Sequence, residues 1–252
     1  MEIERVNVLG VGISDLDQNR AREFLFDAVE AGKRGYVTVT GVHGVMEAQN
    51  DPELIEIFNR ALLVTPDGMP MVWMGKLQKH SRIRRVYGPD LMLNICEHSI
   101  GRGYSHFLYG GHGGVADVLK GELSARFPGL KIVGTYEPPF RALNTSELQD
   151  LRSQIAAARP DFFWVGLSTP KQEFFMAEHM SLLPEAKILL GVGAAFDLLT
   201  GRVPQAPRWM QRSGLEWLFR LIQEPKRLSR RYLINNPLFV IRATGQLIGL
   251  RN

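Results

Sequence analysis

With 252 residues, of which 45% are hydrophobic and 22% charged, the chain is long enough to bury a core, and its ordinary composition argues against disorder. Its single cysteine, Cys96, excludes an internal disulfide and fits a reducing compartment. The N-terminal residues resemble no signal peptide, and no run of about 20 uncharged apolar residues occurs, so we expect a cytoplasmic protein without a membrane-spanning helix.

The net charge of +4 hides an asymmetry along the chain. From Arg202 onward there are ten basic and two acidic residues, whereas the preceding 201 residues carry 20 basic and 24 acidic ones. A basic tail on a mildly acidic body predicts an anionic partner at the tail, which could be a phosphate, a nucleic acid or an anionic lipid.

Short β-rich runs alternate with helical patterns through the first 200 residues. The β-rich runs are "VNVLGVGI", "YVTVTGV", "LLVTPD", "HFLYGG", "KIVGTY", "DFFWVGLS" and "AKILLGVGAAF". Helical patterns of roughly 10 to 17 residues separate most of them, which is typical of repeated βα units. The sequence therefore predicts an α/β fold, a parallel sheet with helices on both faces.

The stretch "TGRVPQAPRW" interrupts this alternation, because Gly201, Pro204 and Pro207 disfavour regular structure. The change in charge balance falls at the same place. We therefore predict an α/β body over residues 1–200 and a helical, basic C-terminal appendage over residues 201–252. Within the appendage, Pro225 should begin a new helix or kink the preceding one.

Polar or glycine-rich residues follow five of the predicted strands. In an open parallel sheet, ligands bind beyond the carboxyl ends of the strands. The five strand ends should therefore converge on one crevice, and they carry Thr40, Asp67 in "TPDG", the run "GGHGG", Gln172 in "LSTPKQE", and Asp197 in "GAAFD".

The run "GGHGG" lies between a strand and a helix, where Gly110, Gly111 and Gly113 would let the backbone approach a phosphate near the helix N-terminus. It has neither the spacing of the dinucleotide fingerprint nor the Gly-Lys-Ser/Thr of a P-loop. A tight turn without a ligand explains the glycines equally well.

Asp67 and Gln172 each have a structural and a functional interpretation. Asp67 could cap the helix that follows it, or act as a general base at the end of a strand. Around Gln172, helix capping accounts for Ser168 or Thr169 and for Glu173 but not for the glutamine, which could hydrogen-bond a sugar or uracil.

No metal site is predicted. "DLD" at residues 15–17 resembles the metal-binding Asp-x-Asp of some sugar transferases, but it precedes a helix, where an aspartate is a good cap. The six histidines form no pair at metal-ligand spacing, and there is no cysteine cluster.

The C-terminal segment carries two stripes at helical spacing. Leu215, Leu218, Phe219 and Ile222 form an apolar stripe, and Arg220, Glu224, Arg227 and Arg231 form a second one with Arg230 beside it. Tryptophans among arginines, here Trp209 and Trp217, also suit a membrane interface.

Together, "TPDGMPMVW", "YGPDLM", "FLYGGHGGVA", "VGLSTPKQEFF" and "GVGAAFDLLTGRVPQAPRWMQRSGLEWLFRLIQEPKRLSRRYL" resemble, in this order, the signature blocks of the WecG/TagA/CpsF glycosyltransferases. The resemblance implies a Rossmann-like fold and an inverting, metal-independent transfer of a sugar from UDP to a polyprenyl-diphosphate-linked saccharide, without a cofactor. It also implies a C-terminal appendage that completes the active site and contacts the inner face of the cytoplasmic membrane.

By the same resemblance, Asp67 matches the catalytic aspartate, and Thr40 and Gln172 match further active-site residues. Arg220, Arg227 and Arg230 would contact the UDP diphosphate. Many members have Thr-x-Asn-Pro after the second strand, whereas Val42 stands here in place of the asparagine. The donor sugar therefore stays open among N-acetylmannosamine, its uronic acid and glucose, as does homo-oligomer formation.

Two other functions remain as alternatives. "VLGVGIS" could belong to a nucleotide-binding dehydrogenase, although its glycines lack the fingerprint spacing and no acidic residue closes the next strand. The basic tail alone could belong to a nucleic-acid-binding protein, which would bind DNA or RNA with a steep salt dependence. We predict no nucleic-acid partner.

Overall fold

Eight strands are present in the structure, a computed structural model that describes residues 2–249. They are β1 Arg5–Val8, β2 Val11–Ser14, β3 Gly35–Thr40, β4 Leu63–Pro66, β5 Ser105–Gly110, β6 Lys131–Tyr136, β7 Phe162–Gly166 and β8 Ile188–Gly191. Strands β3 to β8 form one sheet in the order β4-β3-β8-β7-β5-β6, with every neighbouring pair parallel. The predicted parallel sheet is confirmed.

Twelve α-helices accompany these strands within the described residues. They are α1 Gln18–Glu30, α2 Val42–Ala48, α3 Pro52–Arg60, α4 Met69–Leu77, α5 Gly88–Ser99, α6 Val115–Arg126, α7 Thr145–Ala158, α8 Lys171–His179, α9 Ala195–Leu199, α10 Arg208–Arg212, α11 Glu216–Gln223 and α12 Pro225–Leu247. Asp51 accepts hydrogen bonds from the amides of Glu53 and Leu54, so α3 begins as a separate helix after α2.

The central strands are buried on both faces, as their continuous apolar sequences predict. In β7, Phe162 and Trp164 point into one core and Phe163 and Val165 into the other, because side chains alternate along a strand. Helices α1, α5, α6 and α9 cover the first of these cores, and α2, α3, α7 and α8 cover the second. The predicted arrangement with helices on both faces is therefore confirmed.

The N-terminal β-rich run differs from the expectation. Instead of one strand of a βα unit, β1 and β2 form an antiparallel hairpin that packs beside β4. Its two-residue turn places Leu9 at φ +52° and Gly10 at φ +88°, and turns with two positive φ angles match the twist of a hairpin. The amide of Leu9 donates to Gln246 Oε1 at 2.9 Å, so a distant residue helps to hold the unusual leucine conformation.

The segment after residue 207 packs against the body through both ends. Arg85 of the body forms an ion pair with Glu216 of α11. Near the other end of α12, Phe239 and Ala243 are buried in the same core as α2. Pro225 begins α12, as its sequence position predicts. Among residues 2–249, no helix combines the length and apolarity that a bilayer crossing requires.

The close contact between the end of β5 and the end of β7 can be tested by substitution. Gly110 has φ +126°, and a Cβ atom there would lie 2.6 Å from the carbonyl oxygen of Gly166. We expect Gly110→Ala to lower the free energy of unfolding by more than about 2 kcal/mol, because both backbone strain and overpacking act against it.

Gly121, on the exposed side of α6, provides the matched control because a Cβ atom there meets no atom within 4 Å. Gly121→Ala should raise the free energy of unfolding by about 0.5–1 kcal/mol through helix propensity. Urea titration of both variants measures the two changes in the free energy of unfolding. Equal changes in the two variants would contradict the close packing at Gly110.

Candidate active site

A cavity of about 830 Å³ opens at the carboxyl ends of β3, β4, β7 and β8 and is closed on the other side by α10, α11 and α12. It has the position that open parallel sheets offer to ligands. Thr40, Asp67 and Gln172 line it from the sheet side, and Arg220 and Arg227 line it from the C-terminal helices. The structure thus brings together five of the residues that the sequence singled out.

Asp67 does not cap the helix that follows it. Gly68 is the N-cap of α4, and no side chain accepts a hydrogen bond there. The backbone amide of Asp67 donates to Thr40 O at 3.0 Å, which ties together the ends of β3 and β4. Its carboxylate atom Oδ1 is shielded from solvent and has no hydrogen-bond partner among the described residues. The backbone of Gly88 also donates to this carboxylate, so the protein satisfies the carboxylate only in part.

Burial raises the pKa of Asp67 to about 6. The guanidinium groups of Arg85 and Arg220 lower this pKa in part, whereas the carboxylate of Glu216 raises it further. A carboxylate with a pKa near 6 is ionised in most molecules at neutral pH and is a stronger base than an exposed aspartate. This property suits a general base.

Arg85 joins the site to the C-terminal helices. Its Nε donates to Asp67 O at 2.6 Å, and its Nη2 donates to the carboxylate of Glu216 on α11. The guanidinium lies 4.3 Å from the centre of the Tyr87 ring, and the buried Tyr87 hydroxyl has no hydrogen-bond partner in the described part of the chain. A single side chain therefore fixes the backbone at Asp67 and the position of α11.

Gln172 is 1% exposed and its side chain is already engaged. Its Oε1 accepts from the amide of Gly193 at 2.9 Å, and its Nε2 donates to Glu173 Oε1 at 2.9 Å. Burial raises the pKa of Glu173 to about 7. Gln172 thus fixes the loop after β8, which lines the cavity. Glu173 is buried and does not line the cavity.

The glycine run after β5 lies outside the cavity lining, and its amides already bind an anion from the chain. Gly113 N donates to Glu137 Oε1 at 2.8 Å, and Gly114 N donates to Glu137 Oε2 at 2.7 Å. These two bonds lower the pKa of Glu137. Gly111 N donates to Gly166 O at 3.0 Å, and Gly110 approaches the same residue.

Four arginines of the C-terminal helices differ in their surroundings. Arg220 and Arg231 line the cavity, and each has a buried Nε that finds no hydrogen-bond partner within residues 2–249. Arg227 also lines it but forms an ion pair with Glu224, the residue that directly precedes α12. Arg230 is exposed and does not line the cavity.

Asp197 likewise does not line the cavity, although its neighbours Ala195 and Leu198 do. It lies in the first turn of α9, and its backbone oxygen accepts from Val203 N at 3.1 Å. The structure therefore groups Asp197 with the loop that leads toward α10.

The "DLD" motif lies away from the cavity. Asp17 caps α1 by accepting from Arg20 N at 2.9 Å. Asp15 approaches His80, with 3.3 Å between Asp15 Oδ2 and His80 Nδ1. Ligand atoms of Glu4, Asp15 and His80 lie within 4.8 Å of one another, and no other group of this kind occurs among residues 2–249.

Sequence reasoning missed Arg85, Tyr87 and Glu216 as cavity residues. Arg85 and Tyr87 follow no strand of the sheet, so the strand-end rule gave no signal for them, although Tyr87 is the first residue of the "YGPDLM" block and Arg85 lies two residues before it. Arg231 did have a signal, because helical periodicity puts it on the stripe of Arg220 and Arg227.

Comparison with known proteins identifies the family. Residues 6–252 match the model of the glycosyl transferase WecG/TagA/CpsF family. The chain belongs to this family. A Bacillus subtilis (strain 168) protein is 33% identical over 186 residues, which are 73% of this chain and 69% of the relative. A Bacillus spizizenii protein is 28% identical over 212 residues, 84% of this chain and 79% of the relative.

Both relatives are named N-acetylglucosaminyldiphosphoundecaprenol N-acetyl-β-D-mannosaminyltransferase. The family assignment and these names support a transferase. They also fit the sequence prediction of a glycosyltransferase rather than a dehydrogenase. The hairpin agrees, because "VLGVGIS" does not form the strand, turn and helix of a dinucleotide site.

The raised pKa of Asp67 makes a prediction about stability. Because its folded-state pKa of about 6 exceeds the value of 3.8 for an unperturbed aspartate, folding is favoured by protonation. The stabilisation is complete below pH 3.8 and is lost as the pH rises through 6. Asp67→Asn should therefore be more stable than the wild type above pH 6, by about 2–3 kcal/mol, and this advantage should vanish near pH 4.

Urea titrations of both proteins across this pH range measure the effect. Asp150→Asn, on the exposed surface of α7, is the control and should differ from the wild type by a small and constant amount. A difference between Asp67→Asn and the wild type that does not change with pH would contradict the raised pKa.

Proposed function

We propose that the protein transfers a sugar from a UDP-sugar to a saccharide linked to polyprenyl diphosphate, in the synthesis of a cell-wall or surface polysaccharide. The observation that carries this proposal is the buried carboxylate of Asp67 at a strand end, in one cavity with arginines from α11 and α12; its Oδ1 has no hydrogen-bond partner among the described residues. The names of the Bacillus relatives support the polyprenyl-diphosphate acceptor and favour N-acetylmannosamine as the sugar.

The proposed reaction is a single displacement. Asp67 removes the proton from an acceptor hydroxyl, and the resulting oxygen nucleophile attacks C1 of the donor sugar from the face opposite UDP. The bond between C1 and the diphosphate oxygen breaks, its electron pair leaves with UDP, and the configuration at C1 inverts. The pKa of about 6 keeps Asp67 ionised at neutral pH, when it must accept the proton.

Arg220 would stabilise the leaving group. Its guanidinium is close enough to Asp67 to lower the pKa of that carboxylate, and its Nε has no partner among the described residues. Cations aimed at developing phosphate charge can serve in place of a metal ion. Arg227 could assist if it exchanged Glu224 for phosphate, whereas Arg230 would have to turn inward. We therefore propose transfer without a metal ion or cofactor.

The nucleotide would extend along the strand ends from Asp67 toward the glycine run. Asp67 follows β4, and β5 lies four positions from β4 in the sheet, which corresponds to about 19 Å at the usual strand spacing. Gln172 would act by holding the loop after β8, and Gly110, Gly111 and Gly113 would meet the nucleotide only if Glu137 left its two amides.

We further propose that the C-terminal helices bind the inner face of the cytoplasmic membrane, where a lipid-linked acceptor is found. Their exposed apolar side chains suit a membrane interface, especially beside arginines. The residues that carry this surface are Trp209, Trp217, Leu218, Ile222, Leu233, Ile234, Val240, Ile241, Leu247 and Ile248. In this proposal residues 201–252 act as an appendage that completes the active site of residues 1–200.

The direct test is a transfer assay with UDP-N-acetylmannosamine, its uronic acid and UDP-glucose, each offered with a polyprenyl-diphosphate-linked N-acetylglucosamine. We expect turnover with at least one donor and an acidic limb in kcat/KM with a pKa near 6. Asp67→Asn should lower kcat by about 10²–10⁴ and leave the Kd for UDP within about twofold. Asp150→Asn is the control. Near wild-type turnover by Asp67→Asn would exclude Asp67 as the base.

A second prediction concerns the leaving group. Arg220→Gln should lower kcat by about 10²–10³, the usual effect of removing one donor to a developing anion. Arg212→Gln, at an exposed arginine of α10 outside the cavity lining, should leave kcat unchanged. EDTA should not affect the wild type. Loss of activity in EDTA with recovery in Mg²⁺ or Mn²⁺ would contradict stabilisation by arginine.

A further inference from the structure

Arg231 is a cation in the cavity that the displacement mechanism does not use. It is partly buried and burial lowers its pKa; its Nε is shielded from solvent and has no hydrogen-bond partner among the described residues. Among residues 2–249, no carboxylate oxygen lies within 4.0 Å of its guanidinium nitrogens. A partly buried cation without a counterion is unfavourable, so the site favours an anionic ligand.

Arg231 and Arg220 line the cavity from different helices. Arg220 on α11 is among the charges that alter the pKa of Asp67, and Arg231 on α12 is not. Arg227, one helical turn before Arg231, has Glu224 as its counterion. Among residues 2–249, the cavity thus has two guanidinium groups without an ion pair, Arg220, whose charge acts on the proposed base, and Arg231 on α12.

The wall formed by α12 changes from polar to apolar along the helix. Its lining residues are Arg227, Arg231, Tyr232 and Leu233 in the first part, then Asn235, Asn236 and Pro237, and finally Phe239, Val240, Ala243, Thr244 and Leu247. Phe239 is eight residues beyond Arg231, which corresponds to about 12 Å along a helix, and Leu247 is about 12 Å farther. The wall therefore runs from a cationic end to an apolar end.

The facing wall matches the apolar end. Met69, Trp73 and Leu77 of α4 line the same cavity, and Trp73 and Leu77 are 46% and 65% exposed at its edge. Val240 and Leu247 of α12 are also exposed. Apolar side chains thus line the cavity from its interior to its opening, as a site for one end of an amphiphile requires.

We propose that Arg231 binds the diphosphate of the lipid-linked acceptor, and that the groove between α4 and the end of α12 holds the first isoprene units of its lipid. This inference rests on the proposed function, because it takes the polyprenyl diphosphate from that reaction. The proposed reaction involves two diphosphates, one in the donor and one in the acceptor. The two arginines without an ion pair would bind one diphosphate each. Arg220 serves the donor and Arg231 the acceptor.

A binding experiment tests this assignment without turnover. The probes are phosphatidylcholine vesicles that contain either a polyprenyl diphosphate or phosphatidylglycerol at matched surface charge. The wild type should bind the polyprenyl-diphosphate vesicles more tightly. Arg231→Gln should lose roughly ten- to hundredfold of this affinity, the value of one charge-assisted hydrogen bond, and keep its affinity for phosphatidylglycerol vesicles.

Two further variants control for charge and folding. Lys226→Gln removes an exposed cation of the same helix that does not line the cavity, and it should retain the preference for polyprenyl diphosphate. Arg231→Lys should recover part of the affinity, because it restores the charge without the guanidinium geometry. Thermal unfolding of Arg231→Gln should occur at the wild-type temperature or above it, since the variant removes a buried cation without a counterion.

Titration with UDP separates this inference from the proposed function. Arg231→Gln should bind UDP within about twofold of the wild type. A roughly tenfold loss of UDP affinity with an unchanged vesicle preference would assign Arg231 to the donor and overturn the inference, as would wild-type vesicle binding by Arg231→Gln. A wild type that does not bind UDP but prefers polyprenyl diphosphate through Arg231 would refute only the proposed donor.

Discussion

The guanidinium of Arg85 is the contact on which the candidate site depends. It donates to the backbone oxygen of Asp67 and to the carboxylate of Glu216, so it links the end of a strand to α11. Without this link the cavity would lose one wall, and Asp67 would be more exposed to water and its pKa closer to that of an ordinary aspartate. The basicity of the proposed catalytic residue is therefore coupled to the docking of the C-terminal helices.

The cavity concentrates charged side chains with buried polar atoms that make no hydrogen bond within residues 2–249. The carboxylate Oδ1 of Asp67 and the Nε atoms of Arg220 and Arg231 are all buried and unbonded within the described part of the chain. Burying each of these atoms without a hydrogen bond lowers the free energy of unfolding, and a purely structural role would not require it. Such groups are typical of sites that bind charged ligands, where stability is exchanged for function. The two arginines match a reaction in which both substrates carry a diphosphate.

Much of the fold was predictable because local patterns specify it. Continuous apolar strands gave the parallel sheet, and the strand-end rule led to Asp67. The hairpin was not predictable from periodicity, because its turn puts Leu9 in a conformation that depends on the distant Gln246. The occupation of the glycine run by Glu137 also depends on a tertiary contact. Helical spacing, by contrast, already placed Arg231 on the stripe of Arg220.

The central claim is that UDP binds between the strand ends and the C-terminal helices. Hydrogen exchange measured with and without UDP tests it most directly, since bound ligand slows the local opening of the segments it contacts. The account predicts slower exchange in residues 192–195, after β8, together with slower exchange in α11 and the start of α12. Exchange that UDP leaves unchanged in α11 and α12, or protection confined to segments outside the cavity, would contradict it.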